Sequence, residues 1–501
     1  MSEPAGPPEP ETIGPLAVKI PKPPLISPEK KADFAAGTEK GEPLSPAARL
    51  FRQPELSCCI ITIFGLGKIV TADELKACIE ATLLRHPRFS SAPVKSRSDK
   101  PRWVPTKVNL DEHVFYPEID AASAAARDHA VGDRLVEDYA TSLSQSPLDP
   151  SRPLWDLHFL AIRTSEAACA IVLRIHHSLG DGISLMSLFL ACTRRTSDLE
   201  SLPTLPEARR RQAAAFRPCL LLFWLWSVLV YAWNTLVSSF IFIATAFFLK
   251  DTRTPITPSS AGVEFRPKRF VHRTISLEDI KGIKYAMGCT INDVLLGVTS
   301  AALSRYLGRS YHGHLPKNLL IRTSLLVNIR PTPGINALAD MMKKGSEVKW
   351  GNHLGYILLR LPIMKCEDPM DYIRKGKAAA EKKKNSWEAL FSYVLGLMIV
   401  KTLGIKVATT LCHRMFSNTT LSFSNVVGPM EEVSFCGSPL VYIAPSVYGH
   451  PQALTIHFQS YVNKMTAVLA VDELTIPDPQ KLLDDIVLSL QLIKEAVAAK
   501  S

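Results

Sequence analysis

The residues of this chain best suited to chemistry are two adjacent histidines, His176 and His177, which Asp181 and Gly182 follow closely. A neutral imidazole can remove a proton from a hydroxyl or a thiol, so the cluster predicts a general-base site. A single buried histidine is more often a satisfied core residue, and Asp181 alone could simply begin a helix. Four such residues within seven positions favour catalysis over these alternatives.

The local pattern places both histidines at the end of a strand. Residues 171–175 are mostly β-branched or apolar and predict a buried strand, whereas residues 183–195 carry apolar side chains at helical spacing. Active sites of α/β proteins lie at such strand ends. Successive side chains of a strand point to opposite faces, so one histidine acts in the site while the other packs.

Residues 176–182, HHSLGDG, resemble the HHxxxDG motif of the bifunctional wax ester synthase/diacylglycerol acyltransferases. These enzymes are related to chloramphenicol acetyltransferase-like enzymes, plant BAHD acyltransferases and peptide synthetase condensation domains. Further matches in the family's order extend the resemblance, closest to the plant-type branch, from residue 44 to the C-terminus. They are PAARLF at 46–51, HPRFSS at 86–91, PLW at 153–155, ND at 292–293, NIRP at 328–331, GNHLG at 351–355 and SNVVGP at 424–429.

The resemblance implies an α/β fold in which two chloramphenicol acetyltransferase-like domains enclose one shared active-site tunnel. On this basis we expect an N-terminal domain at 43–205, a linker at 206–262 that holds a membrane-associated segment, and a C-terminal domain at 263–501. The first 42 residues are rich in proline and mixed charge and predict a flexible tail.

The implied activity is acyl transfer from a fatty acyl-CoA co-substrate to a long-chain alcohol, giving a wax ester, with weaker transfer to diacylglycerol, giving triacylglycerol. His177 is the implied general base, and the acyl group passes directly to the acceptor without an acyl-enzyme. This route needs no permanently bound cofactor and no metal. The alternatives are a mainly diacylglycerol-directed acyltransferase and a non-catalytic lipid-binding membrane protein.

The remaining candidate site residues have supporting roles. Asp181 is expected to hold the loop, as a helix cap or through an ion pair with an arginine, and Gly182 to let the backbone turn at the helix start, while His176 is structural. Asn292 is the candidate oxyanion donor, with helix capping as its competing role. The residues expected to line the tunnel or the cofactor approach are Ser424, Asn425, Gly428 and Pro429.

Composition narrows the possible partners and the compartment. The net charge of +11 favours anionic partners such as a lipid surface or a phosphorylated co-substrate, and no nucleic-acid-binding motif accompanies it. The ten cysteines show no CxxC pair and no His/Cys metal spacing. We therefore expect neither a disulfide framework nor a zinc site, and a reducing compartment.

Residues 219–249 form an uncharged run of about 30 residues that contains three tryptophans, longer than the roughly 20 residues that span a bilayer. A single crossing would separate His177 from Asn292 and Asn425, which the resemblance places around the same site. We therefore expect a monotopic segment at the membrane interface, on the cytosolic face of the endoplasmic reticulum or of the plasma membrane. A buried soluble helix and a return crossing at 389–412 are the competing interpretations; for 389–412 we favour a substrate-lining or surface helix.

The coarse pattern elsewhere is α/β. Strands are predicted at 57–65, 168–176, 319–328, 356–361, 420–425, 453–461 and 464–471, and helices at 72–85, 293–307 and 479–498. Thr290 and Asn292 are the predicted caps of the helix at 293–307.

Overall fold

The computed structural model of the chain describes residues 41–95, 101–118, 129–204, 221–332 and 334–500. Residues 1–40 of the expected tail and residues 205–220 of the expected linker lie outside this part. The described residues form sixteen strands: β1 Glu42–Pro43, β2 Cys59–Leu66, β3 Ser91–Lys95, β4 Pro101–Pro105, β5 Val114–Phe115, β6 Trp155–Leu160, β7 Cys169–His176, β8 Arg194–Arg195, β9 Arg269–Ser276, β10 Arg322–Asn328, β11 Leu354–Arg360, β12 Leu421–Val426, β13 Val433–Phe435, β14 Ser438–Tyr448, β15 Leu454–Tyr461 and β16 Lys464–Val471.

Twelve α-helices accompany these strands in the described residues. They are α1 Pro46–Leu50, α2 Ala72–Ala81, α3 His129–Leu143, α4 Gly182–Cys192, α5 Leu221–Phe247, α6 Leu277–Ala286, α7 Ile291–Ser310, α8 Leu338–Met342, α9 Met370–Lys384, α10 Glu388–Thr402, α11 Gly404–Ser417 and α12 Pro479–Ala498. The mixture of helices and strands confirms the predicted α/β class.

Two large sheets carry the fold. One has seven strands in the order β5-β6-β7-β2-β14-β13-β8, and the other has six in the order β11-β10-β12-β15-β16-β9. The helices α6, α7 and α12 pack their apolar residues against the six-stranded sheet. A separate apolar cluster includes residues of both sheets, among them Ile61, Tyr442 and Val468, and so joins them.

The seven-stranded sheet is assembled from both ends of the chain. Strand β14 pairs antiparallel with β2 along its length, from Tyr448 opposite Cys59 to Leu440 opposite Leu66. A late segment of the sequence thereby completes a sheet whose other central strands, β6, β7 and β2, all lie before residue 177. The sequence pattern did not predict β14.

Where the apolar pattern was clear, the predicted elements are confirmed. Strand β16 and helix α12 have the bounds that the sequence predicted, and the strand before the histidines ends at His176. The helix at 72–85 is shorter than predicted, since α2 ends at Ala81 and a separate 3-10 turn, Leu83–Arg85, follows. Thr290 caps α7 as predicted.

The structure contains a disulfide that the spacing of the cysteines did not indicate. It joins Cys78 of α2 to Cys436 in the turn between β13 and β14, 358 residues further along the chain. Local spacing cannot reveal such a distant pair. Seven other described cysteines are free, so this single bond does not form a disulfide framework.

The apolar helix α5 lies along the surface of the protein, against α10 and α11. The Trp387 amide donates to Thr235 Oγ1 at 3.0 Å, and Asn418 Nδ2 donates to the Thr245 carbonyl at 2.7 Å. Among the described residues, α5 has the length and composition of a membrane-spanning helix, yet only 17% of its most apolar window is buried within the protein. The interpretation as a buried soluble helix is therefore wrong.

One side of α5 exposes a row of large apolar residues that recur every three or four positions, as on one face of a helix. Two helices, α10 and α11, replace the single helix expected at 389–412, and they meet at Gly404, which has a φ of +86°. Both helices also expose large apolar residues. We call these residues together the apolar face: Trp226, Leu229, Trp233, Leu236, Phe240, Ile243 and Phe247 of α5, with Trp387, Leu390, Val394, Met398, Leu403 and Val407.

Candidate active site

The two histidines lie where β7 ends and the chain turns into α4, as the sequence predicted. Asp181 is the N-cap of α4 and accepts a hydrogen bond from the Ser184 amide at 2.9 Å. The two imidazoles have different surroundings, in agreement with the alternation expected along a strand. His177 lines a cavity, whereas His176 does not.

His177 is held by a reciprocal pair of hydrogen bonds with Asn352. Its Nδ1 donates to Asn352 Oδ1 at 3.1 Å, and Asn352 Nδ2 donates to the His177 carbonyl at 2.9 Å. Because Asn352 Nδ2 is committed to the carbonyl, its oxygen faces the ring and Nδ1 carries the proton. The lone pair of the neutral ring is then on Nε2, and the Phe51 ring stacks on the imidazole with centroids 4.3 Å apart.

The surroundings of His177 favour its neutral form. Burial lowers the pKa of the ring below its ordinary value, and the charge of Asp181 and the hydrogen bond with Asn352 oppose part of that shift. A buried imidazole without a directly paired carboxylate therefore has its lone pair available near neutral pH, as a general base requires.

His176 packs within the protein. Its Nδ1 lies 2.8 Å from Ser178 Oγ and its Nε2 lies 3.4 Å from Ser57 Oγ. Burial, with smaller contributions from Arg52 and His177, lowers its pKa to about 3. This environment fits the structural role that the sequence indicated.

Asp181 also forms a buried ion pair with Arg330. The guanidinium donates to both carboxylate oxygens, at 2.8 and 3.2 Å, and both side chains are almost completely inaccessible to solvent. With the bond from the Ser184 amide, the His353 amide at 3.0 Å gives the carboxylate four hydrogen bonds in all. Asp181 thus makes both of the interactions proposed from the sequence, and it fixes the segment that carries Asn352 beside His177.

The cavity beside His177 has a volume of about 310 Å³ and mostly apolar walls. Residues that precede helix α5 in the sequence and residues that follow it both line this cavity, so the site lies between these two parts of the chain. Its apolar lining includes Phe51, Ile60, Ile175, Leu185, Met186, Leu326, Tyr356, Phe416, Val426 and Val447. A cavity of this kind suits a long hydrocarbon chain with one polar reacting end.

The structure places Asn292 at the surface, outside this cavity. Its Oδ1 accepts a hydrogen bond of 2.6 Å from Asn425 Nδ2, and it is Asn425 that lines the cavity. Helix capping, the competing role, belongs to Thr290 and Asp293, which form the capping box of α7. The oxyanion assignment of Asn292 therefore gains no support from its position.

The remaining predicted residues divide into two groups. Gly182 and Ser424 line the cavity with Asn425, whereas Gly428 and Pro429 lie beyond it, beside the turn between β15 and β16. A side chain at Gly428 would come within 2.1 Å of the Ser460 carbonyl oxygen, so close backbone contact requires glycine there. Gly182 has no left-handed backbone and an added Cβ would touch only Val426, at 3.7 Å, so the structure gives no steric requirement for glycine at the helix start.

The sequence analysis assigned no role to two residues that contact the histidine segment, although they lie in the motifs NIRP at 328–331 and GNHLG at 351–355. Asn352 and Arg330 follow His177 and Asp181 by 175 and 149 residues. Their polar side chains, next to predicted strands, could have marked them as candidate site residues. Only the tertiary structure shows that they contact the histidine segment. No cluster of three metal-ligating side chains occurs in the described ranges.

Solved structures define the class of the fold. The chain superposes on the wax ester synthase/diacylglycerol acyltransferase of Marinobacter aquaeolei VT8 with a TM-score of 0.58 and 18% identity, covering 91% of this chain and all of that one. It also resembles the starter condensation domain of a rhizomide synthetase in complex with C8-CoA, with a TM-score of 0.54, 12% identity and coverage of 93% and 97%. The fold is therefore that of the chloramphenicol acetyltransferase-like, CoA-dependent acyltransferases.

Sequence comparison then identifies the family. The model of the wax ester synthase/diacylglycerol acyltransferase catalytic domain matches residues 65–295, and the WS/DGAT C-terminal domain matches residues 350–494. Wax ester synthase/diacylglycerol acyltransferases 5 and 11 of Arabidopsis thaliana are each 47% identical to the chain, which they match over 92% of its length and 95% and 96% of their own. The chain belongs to the wax ester synthase/diacylglycerol acyltransferase family.

The Asp181–Arg330 pair predicts a large loss of stability when only one partner is removed. Arg330→Met leaves a buried carboxylate without its counter-charge, so we expect the free energy of unfolding to fall by about 3–5 kcal/mol. The matched control is Arg374→Met, because Arg374 is half exposed and pairs with Asp368 and Asp371 at the surface, where solvent screens the charges and the loss should be much smaller. Urea denaturation in detergent measures both variants, and equal losses would contradict the structural role of Arg330.

Proposed function

We propose that this protein transfers the acyl group of a fatty acyl-CoA to the hydroxyl of a long-chain alcohol, forming a wax ester, and more weakly to diacylglycerol, forming triacylglycerol. The observation that carries the proposal is a buried imidazole, held by Asn352 at the wall of an apolar cavity, in surroundings that lower its pKa and so favour the neutral form. The names of the Arabidopsis relatives include both activities. The C8-CoA in the complex of the related condensation domain supports acyl-CoA as the donor.

The proposed reaction begins when His177 Nε2 removes the proton of the acceptor hydroxyl. The oxygen attacks the thioester carbonyl, and the tetrahedral intermediate collapses with cleavage of the carbon–sulfur bond. The CoA thiolate leaves and takes the proton back from the imidazolium, so His177 returns to its neutral form. Asn352 keeps the proton on Nδ1 throughout and thereby presents Nε2 to the acceptor.

The other site residues support this geometry in our proposal. Asp181 and Arg330 hold the loop, Gly182 and Ser424 form part of the cavity wall, and Asn292 orients Asn425 near the cofactor approach. Gly428 and Pro429 act indirectly, by positioning the end of β12 against the β15–β16 turn. The domains at 43–205 and 263–501 are proposed to share the cavity, with 206–262 as their linker.

The apolar face is proposed to rest on the membrane. Tryptophan favours the headgroup region of a bilayer, and this face exposes Trp226, Trp233 and Trp387. The exposed Lys401 and Lys406 lie beside it, at the turn between α10 and α11. Because α5 packs along the protein, a monotopic position keeps His177 and Asn352 on one side. We propose the cytosolic face of the endoplasmic reticulum, where soluble acyl-CoA and membrane-dissolved acceptors meet; the plasma membrane is the alternative.

Removal of the base tests the catalytic proposal against a non-catalytic lipid-binding role. His177→Ala is expected to lower the rate of wax ester formation from palmitoyl-CoA and hexadecanol by about 10² to 10⁴. His314→Ala, at an exposed surface position, is the matched control. Labelled ester product from purified, folded protein provides the measurement, and full activity of His177→Ala would contradict the proposal.

Changing the residue that holds the base should move the pH profile. His177 acts in its neutral form, and its pKa lies below the ordinary 6.5. We therefore expect the wild type to lose activity only as the pH falls through the pKa of His177. Asn352→Asp places a carboxylate beside Nδ1, which favours the imidazolium and raises the pKa. We expect the acid limb of kcat/KM to shift upward by about one pH unit or more, and an unchanged limb in folded protein would refute the proposed contact.

The apolar face should determine membrane binding. Replacement of Trp226, Trp233 and Phe240 by serine is expected to reduce partition into liposomes by about a hundredfold or more, because three large apolar contacts with lipid are lost. The control replaces Tyr285 and Leu474, exposed apolar residues on other elements, by serine. Liposome flotation measures both, and undiminished binding of the triple variant would contradict the monotopic arrangement.

A further inference from the structure

A row of polar side chains crosses the otherwise apolar cavity wall. Thr455, His457 and Gln459 alternate along β15, so they point to the same face of the sheet. Ser422 and Ser424 of β12 lie directly opposite Thr455 and His457 in the parallel register. All five residues line the cavity that contains His177.

Within this row, His457 is unusual because neither of its ring nitrogens has a hydrogen-bond partner among the described residues. The residue is 7% exposed, and burial lowers the pKa of its ring to about 4, so the imidazole is neutral and carries one donor and one acceptor. Leaving such groups unsatisfied in a protein interior costs stability. Nearby His450 is satisfied at one nitrogen, since its Nε2 lies 2.9 Å from Thr455 Oγ1, while its Nδ1 has no partner among the described residues.

The reaction proposed above gives His457 no role, because His177 is the residue that takes the proton of the reacting hydroxyl. The chain of a fatty alcohol offers no other polar group. Two substrates do offer further carbonyl oxygens: a diacylglycerol has two ester carbonyls, and the pantetheine arm of an acyl-CoA has amide carbonyls. Each of these oxygens can accept a hydrogen bond from a neutral imidazole N–H.

We propose that His457 is a substrate-binding residue whose N–H donates to a carbonyl of the substrate that does not react. This inference rests on the proposed acyltransferase function and deepens it. The partner is an ester carbonyl of an acylglycerol acceptor or an amide carbonyl of the acyl-CoA donor, which share the same hydrogen-bonding chemistry. The hydroxyl of Ser424, next to His457 across the sheet, lies within the same polar row.

The test compares His457→Leu, which removes both ring nitrogens, with His457→Gln, which keeps an N–H donor. Steady-state rates are measured with palmitoyl-CoA and either hexadecanol or dioleoylglycerol. We expect His457→Leu to lower kcat/KM on the order of tenfold for the substrate that it binds, mainly through KM. His457→Gln should restore much of that loss, and His457→Met replaces the leucine variant if that protein does not fold.

The pattern of losses identifies the carbonyl. A loss with dioleoylglycerol alone assigns His457 to the acylglycerol ester, whereas equal losses with both acceptors and a raised KM for palmitoyl-CoA assign it to the donor. Unchanged kcat/KM with both acceptors overturns the inference, as do equal losses in the leucine and glutamine variants accompanied by a lowered melting temperature. Inactivity of the wild type with every acceptor would instead refute the proposed function, so the two failures are distinguishable.

Discussion

The buried ion pair between Asp181 and Arg330 is the interaction on which the site geometry depends. Arg330 binds the Asp181 carboxylate and also donates to the carbonyls of Lys349 and Gly351. Because two charges taken out of water are costly unless their donors and acceptors are satisfied, this network favours the observed arrangement of the two segments. That arrangement places Asn352, the residue after Gly351, at the His177 ring.

The proposed base and the group that fixes its tautomer therefore come from segments that precede and follow the apolar helix. His177 directly follows β7 of the seven-stranded sheet, while Asn352 lies two residues before β11 of the six-stranded sheet. Burial both lowers the pKa of the imidazole and forms an apolar chamber for the substrates. The same packing thus determines the protonation state of the imidazole and the apolar surroundings of the substrates. Neither half of the chain contains both His177 and Asn352.

The sequence predicted the elements whose signals are local. Strand β16, helix α12 and the histidine turn follow from apolar periodicity, and the resemblance supplied His177. The resemblance placed Asn352 on the same side as His177, and an arginine partner was expected for Asp181. The individual contacts of Asn352 and Arg330 were not assigned, because these residues are distant in sequence and their local pattern does not specify their partners. The role of Asn292 as oxyanion donor stays a prediction: its neighbours Thr290 and Asp293 cap the helix, and its own side chain contacts Asn425 at the surface.

Strand β14 has a consequence for the order in which the protein is made. Until the ribosome has passed Tyr448, strand β2 has no partner on that side, although β7 can already cover its other edge. A nascent chain would thus carry an open sheet edge through the synthesis of the apolar helix, and open edges invite pairing with other chains. The membrane contact proposed for the apolar face would hold this unfinished intermediate at a bilayer before any substrate is bound.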